Sequence, residues 1–288
     1  MEQIPNNPNS SYHEVPLACD LNEVKARHAA NRAGWNQAAI QYHAEIQETI
    51  AFLQSGKSSL HPIERANLGS LKGWCGRAVH LQCASGRDTL SLWIEGAGEV
   101  VGVDISDLHI ENACTTSAAL HAPAVWYCCD VLETPHELDN TADLVYTGRG
   151  ALCWLHDIDG WAKVVARLLK PGGIFHILDD HPVTWLFDMD SETLVASGIN
   201  YFAYAEASRG WGGDYLQELD IPLSQMATKY ERLWTLGMIF NALTQAGLRI
   251  DLLDEYPDPY WGNFANLRPE FRGRIPLTFA IKAHKPKE

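Results

Sequence analysis

Short apolar runs alternate with helical patterns from Ala78 onward, and this alternation predicts an α/β fold. The runs predict five strands, in the segments AVHLQC, EVVGVD, AVWYCCD, ADLVYTG and GIFHILDD. Strands that alternate with helices at this spacing indicate βαβ units and a mostly parallel sheet. Further along, YERLWTLGMIFNALTQAG predicts a helix closed by Gly247, and LRIDLLDEYP and IPLTFAIKAHKP predict two more strands.

Outside this pattern, the chain divides into segments of different character. A helical pattern runs from Leu21 to about Leu53, with a break expected at Gly34. The aromatic stretch after the fifth strand is irregular and too long for a structureless loop in a compact domain, so we predict a cap over the carboxyl edge of the sheet. The predicted segments are a flexible arm (1–18), a helical lid and connector (19–75), the core (76–180), the inserted cap (181–228) and the rest of the core (229–288).

Composition narrows the classes of function. The chain of 288 residues carries 22 basic and 36 acidic side chains, a formal net charge of −14, and such a surface repels a nucleic-acid backbone. No apolar run reaches the ~18 residues of a membrane span, and the polar N-terminus is unlike a signal peptide. The seven cysteines form no C-x-x-C pair, which predicts reduced thiols in a cytoplasmic protein and no metal site.

The segment HLQCASGRDTL is the strongest local sign of a ligand site. A strand ends there, a tight turn containing Gly86 follows and a helix begins, which is where parallel sheets form a ligand crevice. Asp104 ends the second strand and can accept the hydroxyls of a ribose, and Asp130 ends the third strand and can accept an adenine amino group. Taken singly, these features can be an ordinary βα turn, a helix-capping Asp104 and a solvated Asp130. Their order at three successive strand ends favours a nucleoside site.

The chain resembles the class I S-adenosylmethionine-dependent methyltransferases, in particular the small-molecule type. The resemblance is carried by HLQCASGRDT, VVGVDIS, CCDV, ADLVYT and ARLLKPGGIFHI, and NRAGWNQAAIQY looks like the lid helix of small-molecule members. It implies a Rossmann-like, seven-stranded, mostly parallel sheet with an antiparallel last strand, and S-adenosylmethionine as cofactor. The cofactor-binding residues that it implies are Trp35, Gln82, Ala84, Gly86, Thr89, Asp104, Ile105, Asp130, Val131 and Tyr146.

One departure from the family pattern concerns the glycine-rich turn. Gln82 stands at the usual acidic position and Gly86 alone remains of the glycines; glutamine can accept a hydrogen bond but carries no charge. An NAD-dependent oxidoreductase is the main alternative, but it expects G-x-G-x-x-G, because a diphosphate needs several bare amides at a helix start. The other alternative is a catalytically inert nucleoside-binding module.

Candidates for catalysis and acceptor binding lie at the later strand ends and in the cap. His181 follows the fifth strand and suits a general base at neutral pH, with Asp179 or Asp180 to orient its ring; a structural loop histidine is the alternative. Tyr260 is the second catalytic candidate. An aromatic set predicts a flat or aromatic small-molecule acceptor, unless it is the core of the cap itself: Trp154, Trp211, Tyr215, Trp261 and Phe264. Oxygen, nitrogen and carbon nucleophiles are all open, as is the oligomeric state.

Overall fold

The computed structural model describes residues 11–211, 219 and 221–287. These residues form ten strands, which are β1 (Ser11–Glu14), β2 (Arg77–Leu81), β3 (Glu99–Asp104), β4 (Ala124–Cys128), β5 (Ala142–Gly148), β6 (Leu169–Asp180), β7 (Ala205–Arg209), β8 (Lys229–Arg232), β9 (Arg249–Tyr256) and β10 (Thr278–His284). They also form seven α-helices, which are α1 (Leu21–Ala44), α2 (Ile46–Gln54), α3 (Pro62–Leu68), α4 (Arg87–Ile94), α5 (Asp107–Leu120), α6 (Ile158–Leu168) and α7 (Leu236–Gln245). Within these ranges, no helix has the length and apolar character needed to cross a membrane.

The main sheet has seven strands in the order β4-β3-β2-β5-β6-β10-β9. The five strands from β4 to β6 run parallel, and β10 runs antiparallel to both β6 and β9. The predicted Rossmann-like sheet with an antiparallel last strand is therefore confirmed. Strand order reverses between β2 and β5, and open sheets of this kind form their ligand crevice at the carboxyl edge beside such a reversal.

Both faces of the main sheet are covered, which explains why its central strands read as apolar runs rather than as alternating patterns. On one face, α6 and α7 bury a cluster around Trp161, whose ring meets Phe175 edge-on at a centroid distance of 5.5 Å. On the other face, residues of α2, α3 and α4 pack over Leu144 and Tyr146 of β5. The two clusters fix the strands whose ends form the site.

The lid helix α1 runs without interruption through Gly34, so the break expected there is wrong. Its N-terminus is capped by Asp20, whose side chain accepts hydrogen bonds from the N–H groups of Asn22 and Glu23. A Cβ on Gly34 would lie 2.6 Å from Cγ of Lys229 on β8. Glycine at this position therefore permits a close approach of helix and strand, although a central glycine costs a helix about 1 kcal/mol.

Strands β1, β7 and β8 form a separate three-stranded antiparallel sheet, here named the cap sheet. Because β1 pairs with β7, with Tyr12 opposite Ser208, the expectation of a flexible arm is wrong for Ser11–Glu14. Strand β8 also pairs with β7. The cap sheet therefore draws on residues both before and after the inserted segment predicted over 181–228, and it extends to Arg232.

The helix predicted from Tyr230 begins only at Leu236. The Thr235 side chain accepts a hydrogen bond from the Met238 N–H and so caps the helix. Lys229–Arg232 instead form β8 of the cap sheet. The helical prediction failed there because a strand of four residues is too short for its period of two to be distinguished from a helical period.

Candidate functional site

A cavity of about 720 Å³ lies at the carboxyl edge of the main sheet and is bounded by α1 and the cap sheet. It is lined by the turn after β2, by residues that end or follow β3 and β4, and by residues of the cap sheet. The predicted site residues that line it are Trp35, Gln82, Ala84, Gly86, Asp104, Ile105, Asp130, Val131, Trp154, Trp211 and Trp261. Most of the nucleoside candidates and three of the aromatic acceptor candidates therefore share one space.

The turn after β2 is held in an unusual backbone conformation. Gln82 and Ala84 have φ angles of +60° and +44°, in the left-handed region that non-glycine residues rarely adopt. The Ala84 N–H donates to Asp104 Oδ2 at 2.8 Å, and Gln82 Nε2 donates to the Ala151 carbonyl at 2.7 Å. Gln82 Oε1 is buried and has no hydrogen-bond partner within the described part of the chain. Because an unsatisfied buried acceptor is costly, this oxygen is a place where the ammonium of a ligand can bind.

Gly86 ends this turn and caps α4 with a φ of +80°. A Cβ here would lie 2.5 Å from Trp126 Cη2 and 3.0 Å from the Ala113 Cβ. The Gly86 N–H donates to the Cys83 carbonyl at 3.0 Å, so it is not available to a phosphate. The turn and the packing of Trp126 therefore already require glycine here. Gly86 also lines the cavity, and its contact with a cofactor stays a prediction.

Asp104 ends β3 beside the turn. Its Oδ1 accepts from the Ser106 N–H and its Oδ2 from the Ala84 N–H, each at 2.8 Å. Burial raises the pKa of this carboxyl to about 6, and the backbone hydrogen bonds oppose the rise. A carboxylate offers about four lone-pair positions, so Asp104 keeps acceptor capacity for the two hydroxyls of a ribose.

Asp130 follows β4 and joins the core to α1. Its Oδ1 accepts from the Leu132 N–H at 2.9 Å, and its Oδ2 accepts from His28 Nδ1 at 2.7 Å. His28 Nε2 accepts from the His156 N–H at 3.1 Å, which places the ring proton of a neutral His28 on Nδ1. Burial tends to raise the pKa of Asp130, but the hydrogen bonds from His28 and Leu132 and the nearby positive charge together outweigh burial, and the pKa lies below its ordinary value. The adenine contact of Asp130 stays a prediction.

Three indole rings form one side of the cavity, here named the tryptophan wall: Trp35, Trp154 and Trp211. The centroid of Trp35 lies 5.2 Å from that of Trp154 and 4.8 Å from that of Trp211, and Trp154 and Trp211 are 5.8 Å apart. The wall therefore joins three segments that are far apart in the chain, which are the lid helix, the loop after β5 and the segment after β7. Tilted and edge-on contacts of this kind add stability beyond the area that they bury.

The cap sheet brings charged side chains to the cavity. Glu206 on β7 lies directly opposite Glu231 on β8, and Ser208 lies opposite Lys229; all four residues line the cavity, as does Asp180 at the end of β6. Burial raises the pKa of Glu231 and that of Asp180 to about 8, and neighbouring carboxyl groups add to the rise. We name Glu206, Glu231 and Asp180 the acidic group.

Sequence reasoning missed the acidic group for identifiable reasons. The segment containing Glu231 was assigned to the following helix, and Asp180 was considered only as a partner that orients His181. The available signal was the alternation around Glu206, where Ala205 and Ala207 flank it; this period of two is typical of a strand with one buried face.

Three predicted ligand contacts lie outside the cavity lining, so their assignment is corrected. Thr89 is fully buried, and its hydroxyl is 2.8 Å from His80 Nδ1. The Tyr146 hydroxyl donates to Glu64 Oε1 at 2.6 Å beneath α3. Phe264 packs in a small separate apolar cluster. All three are structural residues, because their side chains point into packed regions.

His181 also lies outside the cavity lining, which corrects its assignment as a general base. Its Nδ1 accepts from the Val183 N–H at 3.1 Å, and its Nε2 donates to Glu255 Oε1 at 2.7 Å. Because both ring nitrogens form hydrogen bonds within the chain, His181 is a structural loop histidine, which was the alternative to a general base. It caps the short helical turn that follows β6.

Tyr260 does not line the cavity either, so its role as a catalytic residue is corrected to a positioning role. Its hydroxyl donates to Asp179 Oδ1 at 3.0 Å. Asp179 also accepts from the N–H groups of Gly150 and Leu152, so Tyr260 helps to hold the loop after β5 that carries part of the cavity lining. Tyr215, the remaining aromatic candidate, lies outside the described residues.

Comparisons with known proteins agree with this fold. Residues 78–173 match the model of a methyltransferase domain family. An uncharacterized methyltransferase of Synechocystis sp. is 28% identical over 159 residues, which are 53% of this chain and 69% of the relative. Two solved structures share the fold. One is an S-adenosylmethionine-dependent methyltransferase from Mesorhizobium loti, and the other is described as a putative S-adenosylmethionine-dependent methyltransferase from Listeria monocytogenes. Their TM-scores are 0.53 and 0.52, their identities 22% and 18%, and the alignments cover 77% of this chain and 96% and 95% of theirs.

Proposed function

We propose that this chain, a class I S-adenosylmethionine-dependent methyltransferase, transfers a methyl group to a small-molecule acceptor that is enclosed in the cavity. One observation carries the proposal: a single cavity joins the carboxylate of Asp104 to the tryptophan wall. A flat or aromatic acceptor fits the indole surfaces of that wall.

The seven cysteines are all free, which supports a reducing, cytoplasmic location.

The residues at the nucleoside end fit the cofactor. Asp104 would hold the ribose hydroxyls, and the buried, unpartnered Gln82 Oε1 would accept from the methionine ammonium. Ile105, Asp130 and Val131 line the region where the adenine would lie. When bound, S-adenosylmethionine supplies an electrophilic methyl group attached to a positively charged sulfur.

The chain itself supplies enclosure and orientation. The lid helix is tied to the core by the His28–Asp130 hydrogen bond and by Asn36, whose Oδ1 accepts from the Ser106 hydroxyl at 2.6 Å. A closed lid excludes water and holds an acceptor near the methyl group, and such positioning is a large part of catalysis for reactions of this kind.

A dinucleotide is a poorer fit to the same turn. The Gly86 N–H is already bonded within the turn, so this amide at the start of α4 is not open to a diphosphate. An oxidoreductase therefore lacks the phosphate site that it needs.

Calorimetric titration tests the proposal directly. We expect S-adenosylmethionine and S-adenosylhomocysteine to bind with one site per chain, and NADH not to compete with either. A screen of small aromatic acceptors, read out as release of S-adenosylhomocysteine, then tests transfer. Binding of NADH in preference to S-adenosylmethionine would contradict the proposal, and cofactor binding without transfer to any small acceptor would favour a nucleoside-binding module.

A further inference from the structure

The cap sheet places two acidic side chains opposite each other inside the cavity. Glu206 and Glu231 are directly paired across β7 and β8, and both line the cavity. Like charges at directly opposed positions destabilise a sheet. The Tyr204 hydroxyl donates to Glu206 Oε2 at 2.5 Å, but a hydroxyl brings no positive charge to the pair. A cation placed near Glu206 and Glu231 would therefore relieve their mutual repulsion.

Lys229 stands one pair along the same two strands, but its hydrogen bonds go elsewhere. Its ammonium donates to the Ser208 hydroxyl at 3.2 Å and to the Gly210 carbonyl, and it lies 4.4 Å from the centroid of the Trp211 ring. These hydrogen-bond acceptors are neutral. Lys229 therefore attracts the two glutamates at longer range without forming a hydrogen bond to either one within the described residues.

Asp180 adds a third carboxyl from the end of β6. Its Oδ1 is buried and has no hydrogen-bond partner among the residues that the structure describes, and the residue lines the same cavity. In the described part of the chain, no three His, Cys, Asp or Glu side chains converge closely enough to hold a metal ion. The acidic group therefore suits an organic cation, which can reach several separated carboxyls at once.

The tryptophan wall supplies the second element of such a site. Indole faces attract ammonium groups, and the attraction grows when water is excluded. The position of the Lys229 ammonium over Trp211 is an instance of this attraction inside the chain itself. Carboxyls together with indole rings in one cavity form the arrangement that recognises substituted ammonium ions.

We propose that the part of the cavity lined by the acidic group and the tryptophan wall binds the methyl acceptor as an organic ammonium ion, so that the substrate class is an amine. The inference rests on the proposed methyltransferase function and assigns a nitrogen nucleophile to it. The acidic group attracts the positive charge, and the tryptophan wall contacts the apolar substituents.

A bound ammonium has no lone pair, so it must lose one proton before the nitrogen can react. That proton goes to the Asp180 carboxylate. With S-adenosylmethionine bound, the nitrogen lone pair would form the bond to the methyl carbon, while the carbon–sulfur bond would break and its electron pair would stay on sulfur. Burial raises the pKa of Asp180 to about 8, so the carboxylate that accepts this proton becomes the main form of Asp180 only above about pH 8.

A pair of isosteric probes separates charge from shape. Choline carries a permanent quaternary ammonium that cannot titrate, and 3,3-dimethylbutan-1-ol has the same shape with a carbon in place of the nitrogen. Each is titrated into the full chain by calorimetry at pH 8.5, above the pKa of about 8 of Glu231 and of Asp180, with and without S-adenosylhomocysteine. We expect choline to bind about tenfold more tightly than its neutral isostere.

Variants then assign the preference to the acidic group. Glu231→Gln and Asp180→Asn remove one charge each at nearly constant shape, and each is expected to weaken choline binding about tenfold while leaving the neutral isostere unaffected. Glu111→Gln on the exposed surface of α5 is the matched control and should change neither probe. Circular dichroism melting shows whether each variant is folded, and two separate variants keep the test valid if one is not.

The outcomes separate the two proposals. Equal binding of the two probes, undetectable choline binding, or an unchanged probe ratio in both folded variants overturns the amine subsite. In each of those cases S-adenosylhomocysteine binding can persist, and the methyltransferase proposal then stands with a neutral acceptor. Failure of S-adenosylhomocysteine to bind contradicts the methyltransferase proposal, while the comparison of choline with its isostere in the free protein still decides the cation preference.

Discussion

Replacing Asp104 by asparagine should separate the binding role of this residue from its effect on stability. The wild-type carboxyl is buried, and burial raises its pKa from 3.8 to about 6. Such a rise corresponds to roughly 3 kcal/mol of unfavourable ionisation in the folded protein at neutral pH. Asparagine does not ionise, so the variant is relieved of that penalty.

The sign of the pH dependence follows from the raised pKa. Between about pH 4 and 6 the folded protein holds a proton on Asp104 that the unfolded chain has released, so stability from this group falls as pH rises through that interval and is constant above it. Asparagine has one oxygen for two backbone donors, the N–H groups of Ala84 and Ser106, and loses about 1–2 kcal/mol there. We expect Asp104→Asn to be about 1–2 kcal/mol more stable than the wild type at pH 8, with no advantage at pH 4.5.

Cofactor binding should move in the opposite direction. A hydrogen bond to a charged group contributes about 1.5–3 kcal/mol, so loss of one carboxylate–hydroxyl bond should weaken S-adenosylhomocysteine binding about 10- to 100-fold. Urea unfolding at pH 8 and pH 4.5 measures stability, and calorimetry measures binding, with Glu111→Gln as the control. Two results together would contradict both expectations: a loss of more than about 2 kcal/mol of unfolding free energy at pH 8, and S-adenosylhomocysteine binding like that of the wild type.

Further substitutions test the packing of the site. Gly86→Ala should lower stability by about 2–4 kcal/mol, seen as a lower midpoint of thermal unfolding, because its Cβ meets Trp126 at 2.5 Å and its φ is +80°; an unchanged midpoint would count against it. Gly34→Ala should lower stability by about 1–3 kcal/mol, because the new Cβ pushes the Lys229 side chain away from α1. Wild-type stability would show that the Lys229 side chain moves aside without cost. His181→Asn keeps an acceptor for the turn and should leave turnover unchanged; a large fall in turnover with normal cofactor affinity would restore a catalytic His181.

The central strands could be predicted from the sequence because burial on both faces makes them continuous apolar runs. Because both faces of these strands are apolar, the sequence does not show on which face of the sheet each side chain lies. Tyr146 was assigned to the ligand side, but it lies on the opposite face from its neighbour Val145 and packs against His80 at a ring-centroid distance of 4.7 Å. Asp104 was placed correctly at the cavity because its position at a strand end does not depend on that choice.

The cap sheet could not be predicted from the sequence, because its strands are short and pair over long separations. Tyr12 lies opposite Ser208 in the cap sheet, although most of the core sequence separates the two residues in the chain. Local patterns carry no information on such pairings, which depend on tertiary packing. The position of Glu231 opposite Glu206, and with it the acidic group, became visible only with the strand register.

A crystal structure of the chain with S-adenosylhomocysteine tests the central claim most directly. We expect both ribose hydroxyls within hydrogen-bond distance of Asp104, the amino group near Gln82 Oε1, and the sulfur facing the tryptophan wall. S-adenosylhomocysteine bound away from Asp104, or excluded from the cavity by bound NADH, would contradict it.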